Sequence, residues 1–162
     1  MAETDPITKW LHQADEHYRA GHRLRAIWYY RKVLKRRPES VPALVNLALI
    51  YFSAGKKGSP ALELLRKAHQ VEPENPTILL NLATVTAHEQ SPQEALEVLQ
   101  EAERLNPQLP DLRYNKAHLL ARLERWEDAL KEINHELKDN PQNPNALMLK
   151  EAIQARMNQK SD

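Results

Sequence analysis

The sequence predicts an all-α protein: four tandem helix–turn–helix units closed by a single C-terminal helix. Three observations predict it. Pro38, Pro73, Pro107 and Pro141 recur at spacings of 35, 34 and 34 residues. Small and apolar residues fall into columns in register with those prolines. Within each unit the apolar residues have helical spacing.

The columns carry the prediction furthest. An alanine stands 12 residues before each proline, at Ala26, Ala61, Ala95 and Ala129. A second small residue stands at Ala14, Ala48, Ala83 and Ala117, displaced by one in the second unit, where Pro60 reads as an insertion. Four residues after the first alanine comes Tyr30, Leu65, Leu99 or Ile133.

Taken in order, residues 1–6 form a polar tail, and the units run 7–40, 41–75, 76–109 and 110–143. Asp5-Pro6, Asn75-Pro76 and Asn143-Pro144 each place a capping side chain before a proline suited to the first helical position. Ser91-Pro92-Gln93-Glu94 adds a glutamate at the third position, the pattern of a capping box. In the second unit Leu44, Leu47, Ala48 and Tyr51 make one apolar face, and Ala61, Leu62, Leu65 and Ala68 make the next. Gly21 and Gly55 mark helix ends where the chain needs a positive φ. Residues 144–162 hold the closing helix, expected over about 145–158. There Leu147, Met148, Ile153 and Met157 alternate with Lys150, Glu151, Gln154 and Arg156, so that one face can cover the fourth unit and the other meet water. Nothing reads as a strand.

Composition narrows the function classes. A chain of 162 residues is one domain or one short repeat array, and its net charge of +1 is not that of a polyanion-binding protein. The charge is uneven: residues 1–40 carry nine Lys/Arg and five Asp/Glu, whereas residues 76–109 carry one Arg and five Glu. There is no cysteine, which excludes disulfides, thiolate catalysis and thiolate-bound zinc. The polar N-terminus is not a signal peptide, and the longest apolar run, VPALVNLALIYF, is too short to span a bilayer. A cytoplasmic protein with no membrane insertion is expected.

The 34-residue period with its small, alanine and proline columns resembles the tetratricopeptide repeat. Residues 18–38, YRAGHRLRAIWYYRKVLKRRP, fit the second half of that repeat, and Trp10 takes its signature aromatic position. Gln90 and Glu124 replace the turn glycine, His17 and Thr86 replace an aromatic residue, and Glu136 replaces a small one. The resemblance implies a right-handed α-α superhelix, a solenoid whose first helices line a concave groove that binds peptide segments of partner proteins. The sequence shows no Gly-rich phosphate loop and no serine nucleophile elbow, so a non-catalytic adaptor with no cofactor is expected.

By register, the sixth residue of each unit faces that groove: His12, Asn46, Asn81 and Asn115. An asparagine side chain offers two donors and an acceptor, so a column of three suits the backbone of an extended peptide. Leu49, Phe52, Leu80 and Tyr114 supply apolar contacts, together with Leu11, Val45 and Met148 where these are not core. The carboxylate clamp of chaperone-binding members does not fit. Its positions hold Leu11, Asp15, Asn46, Thr77 and Asn81, which lack the required cations.

Two other readings rest on residues 18–38, where nine of 21 residues are Arg, Lys or His. Nucleic acid is the alternative partner, through Arg31, Lys32, Lys35, Arg36 and Arg37. A single basic unit argues against it, and cations in a last helical turn have a dipole role. Trp28 lies on the outer face of a second helix, beside Arg25, Tyr29, Arg31 and Lys32. That group reads as an outer contact, with homo-oligomer assembly as a third possibility. His12 and Glu16 share a helix face, but two ligands do not make a metal site, and none is expected.

Overall fold

The computed structural model describes residues 5–55, 60–89 and 91–159. It contains nine helices among these residues: α1 (Pro6–Arg19), α2 (Arg23–Arg36), α3 (Val41–Ser53), α4 (Ala61–Val71), α5 (Pro76–Glu89), α6 (Pro92–Leu105), α7 (Leu112–Arg122), α8 (Trp126–Asp139) and α9 (Pro144–Gln159). No strand occurs among the described residues. The chain divides into two compact units, Met1–Asn81 and Leu82–Asp162, with the division inside α5.

In the first unit α1 packs on α2, α2 on α3, and α3 on α4. Ala14, Ala26, Tyr30, Val33, Ala43, Leu47 and Ile50 form the core. Leu44, Ala68 and Ile78 form a second cluster where α3, α4 and the start of α5 meet. In the second unit α6 packs on α7, α7 on α8 and α8 on α9, and α9 also reaches α7. The eight column alanines are all at 1% exposure or less, and Tyr30, Leu65, Leu99 and Ile133 are fully buried. Their small size lets neighbouring helices approach closely, while the larger column fills the space between them.

The helix starts follow the sequence. Asp5 accepts from the Ile7 amide at 3.2 Å, Asn75 from Thr77 at 3.1 Å, Ser91 from Glu94 at 3.1 Å, and Asn143 from Asn145 at 3.2 Å. Gly21 and Gly55 have φ of 75° and 70°. Glu124, which stands where the repeat favours glycine, takes φ 58° all the same. The turn geometry is therefore kept against the residue's preference. Gln90 and residues 56–59, beside the Pro60 insertion, lie outside the described residues, as do residues 1–4 of the tail.

Three packing details differ from the sequence reading. In α9 the buried residues are Ala146 and Ile153; Leu147 is exposed and Met148 is 69% exposed. Ala146 and Ile153 lie two turns apart on one stripe, which selects them over the bulkier neighbours. Glu136, at a small-residue position, is buried at 5% exposure and accepts from the Asn140 and Asn143 side-chain amides at 3.0 and 3.1 Å. His17 keeps an aromatic role by stacking on Tyr29 at 5.5 Å.

Candidate functional site

The sixth-residue column falls on α1 (His12), α3 (Asn46), α5 (Asn81) and α7 (Asn115). These four side chains do different things. His12 is exposed and lies 3.7 Å from Glu16 one turn on. The Asn46 amide donates to Asp15 Oδ1 at 3.1 Å, and the same oxygen accepts from the Tyr30 hydroxyl at 2.5 Å. Asp15 on α1, Tyr30 on α2 and Asn46 on α3 thus tie three helices together. Burial, and then the Asp15 carboxylate, push the Tyr30 phenol well above its usual pKa, so it stays a donor. The amide of Asn115 donates to the Asp111 carbonyl one turn back, at 2.9 Å. Asn81 is half-buried and makes no side-chain hydrogen bond among the described residues.

The apolar candidates also divide. Leu49, Phe52, Leu80 and Tyr114 are half-buried, which leaves surface for a ligand. Tyr114 stacks with His118 at 6.5 Å. Leu11 and Val45 pack against the first unit's core clusters and belong to the scaffold.

The second unit holds a charged cluster that the sequence reading missed. Lys116 Nζ lies 2.8 Å from Glu103 and 2.9 Å from Glu132, with Arg113 at 3.7 Å from Glu132 and 3.2 Å from His135. Burial works against the Lys116 charge, but the hydrogen bonds it donates to the Glu103 and Glu132 carboxylates outweigh it and raise its pKa. The signal was present in register. Lys116 is the seventh residue of the stretch 110–143, and the seventh residues of 41–75 and 76–109 are Leu47 and Leu82.

The outer group is built on α2. Trp28 is 56% exposed and meets Tyr29 edge-on at 4.7 Å. Lys32 Nζ sits 4.0 Å from the Trp10 ring centroid and 4.8 Å from that of Trp28. A shallow cavity of about 570 Å³ runs along this face, lined by Trp10, Leu24, Ile27, Trp28, Arg31, Lys32, Lys35 and Arg36. Tyr29 turns inward against the core, so its place in the outer group is at the edge. Leu24, which the sequence reading passed over, is 84% exposed. Arg37 is engaged elsewhere, 2.7 Å from Asp5. No group of three or more metal-ligating side chains occurs among the described residues, and none of their helices is long and apolar enough to cross a membrane.

Stacked helical hairpins with buried alanine columns define an α-helical repeat protein. Two sequence models described as tetratricopeptide repeat match the chain, one over residues 11–59 and 57–110 and the other over 86–153. The first alone covers more than half of the sequence, and the chain belongs to the tetratricopeptide-repeat family. No curated protein matches it significantly. Among solved structures it is similar to MamA (23% identity, TM-score 0.76, covering 91% of this chain and 80% of that one). It is also similar to YrrB, described as a TPR protein with an unusual peptide-binding site (21% identity, TM-score 0.74, 95% and 84% covered). A tetratricopeptide-repeat protein from Parabacteroides merdae gives TM-score 0.84 at 16% identity, with 99% of this chain and 62% of that one covered. At these identities the likeness is one of fold. As a repeat array of this family, the protein is a protein-interaction module.

Proposed function

We propose that the protein is a non-catalytic adaptor that binds an extended peptide segment of a partner along the first helices of its repeats, which we delimit as 7–40, 41–75, 76–109 and 110–143. Asn46, Asn81 and Asn115 pair with the peptide backbone. Leu49, Phe52, Leu80 and Tyr114 receive its side chains. The carrying observation is Asn81, a half-buried amide with no hydrogen-bond partner of its own among the described residues. Such a group, flanked by half-buried apolar residues, is what a binding site requires: a few placed polar groups on an apolar surface. Asn46 supports the reading in another way. Asp15 fixes the orientation of its amide, and its carbonyl oxygen accepts no hydrogen bond among the described residues. A peptide-binding site in YrrB, which shares the fold, agrees with this use of the scaffold.

The test is a peptide library panned on the wild-type protein and on an Asn81→Ala/Asn115→Ala variant. Selected peptides are expected to lose the variant while sharing little sequence beyond apolar residues at alternate positions. Peptides that bind the variant undiminished sink the proposal.

A further inference from the structure

Beyond the first-helix column, α2 presents a second surface with its own chemistry. Leu24, Trp28, Arg31 and Lys35 follow one another at i, i+4, i+7 and i+11, and all four are exposed. They form a ridge, apolar at its N-terminal half and cationic at its C-terminal half. Arg36 and the half-buried Lys32 flank it on the cavity side. Lys32 reaches across to Trp10 and holds the two indoles as the walls of the cavity.

The cations of α2 are not all explained by the helix. Lys35 and Arg36 lie in its last turn, where they complement the macrodipole. Arg23 and Arg25 lie in its first turn, which contains no acidic residue, and there the dipole disfavours them. Among the described residues none of Arg23, Arg25, Arg31, Lys35 or Arg36 is within ion-pair distance of a carboxylate. A helix that keeps unpaired cations at both ends around exposed Leu24 and Trp28 is complementary to an apolar stripe edged with carboxylates.

We propose that this ridge docks an acidic amphipathic helix of a partner protein, with its apolar side chains against Leu24, Trp28 and Trp10 and its carboxylates on Arg25, Arg31, Lys35 and Arg36. Single-stranded nucleic acid is the weaker occupant. Lys32 already takes a face of both indoles, and the basic strip is one helix long. A second copy of the chain is also weaker. Its acidic helix α6 exposes Glu94 and Glu97 but only Leu105 as a large apolar side chain among its described residues.

The test uses a fluorescein-labelled synthetic helical peptide of about fourteen residues, about 21 Å and so the length of α2. Leucines stand at i, i+4 and i+7 with glutamates on both flanks. Fluorescence anisotropy compares it with a scrambled peptide of the same composition and with an oligothymidylate of equal length. The expected result is binding at least about tenfold tighter than that of the scrambled peptide. Trp28→Ala and Arg31→Glu/Lys35→Glu each weaken it about tenfold or more, and raised salt weakens it too. Asn81→Ala/Asn115→Ala leaves it unchanged, which separates this surface from the first-helix column. Any one of four outcomes overturns the proposal: no binding; equal binding of the scrambled peptide; full binding by the charge-reversed variant; or tighter binding of the oligonucleotide. So does a dimer, seen by sedimentation, that the charge reversal dissolves.

Discussion

Asn46 and Asn115 occupy the same place in their repeats, one in each compact unit, and have different partners. Asn46 donates across to Asp15 on another helix, in a network that includes the buried Tyr30 hydroxyl. Asn115 donates to the carbonyl of Asp111, one turn back on its own helix. The difference follows from the neighbours. Asp15 and Tyr30 stand 31 and 16 residues before Asn46; Thr84 and Leu99 stand at the same distances before Asn115, and the second unit places its polar cluster on Lys116 instead. A shared repeat position fixes where a side chain stands, and the surrounding columns decide what it holds.

The largest effects should come from the polar groups that brace each unit. Lys116→Ala leaves Glu103 and Glu132 facing each other with Arg113 as the remaining cation, and is expected to destabilise the second unit by about 2–4 kcal/mol. Chemical denaturation followed through Trp126 reads it; an unchanged midpoint would mean the cluster contributes nothing. Tyr30→Phe removes one donor from Asp15 but leaves Asn46, so the first unit should lose only about 1–2 kcal/mol. Trp10 and Trp28 report that unit.

Alkaline pH separates the same two braces. Lys116 and Tyr30 both have raised pKa values in the folded state. Each contribution is complete below the group's unfolded pKa, about 10 for both, and is lost as pH rises through the folded value. Stability should therefore fall above about pH 10. Lys116→Met should flatten that fall in the second unit and Tyr30→Phe in the first. A wild-type protein with pH-independent stability across this range contradicts both assignments.

The smallest effect concerns the turns. Gly21 and Gly55 adopt positive φ in the first unit, and Glu124 adopts it in the second. Glu124→Gly should stabilise by about 0.5–1 kcal/mol, and Gly21→Ala should destabilise by about the same amount. Thermal melts of the two variants should move in opposite directions. If they move together, the turn geometry is not the governing difference.

The fold was legible because it is written twice, once in the proline period and once in the alanine columns. Each column alanine is buried where the period puts it. The caps at Asp5, Asn75, Ser91 and Asn143 were legible for a local reason: a capping bond joins residues two or three apart. The candidate site was legible only as positions. Asp15 lies 31 residues before Asn46, and Glu103 lies 13 before Lys116, so no local pattern joins those partners. Register names the helix face, but not which of several polar neighbours a side chain chooses. Leu24 was passed over for a related reason: it has helical spacing from Trp28, and only the absence of a covering helix reveals its exposure.

The central claim is that the asparagine column binds a peptide backbone, and the most direct measurement compares its members one at a time. Isothermal titration of a selected peptide against Asn46→Ala, Asn81→Ala and Asn115→Ala, with a melt of each variant, separates binding from bracing. Asn81→Ala should weaken binding about tenfold or more at an unchanged melting temperature, since no hydrogen bond within the described residues is lost. Asn46→Ala should lower both affinity and stability. An Asn81→Ala protein that binds the peptide as tightly as wild type contradicts the account.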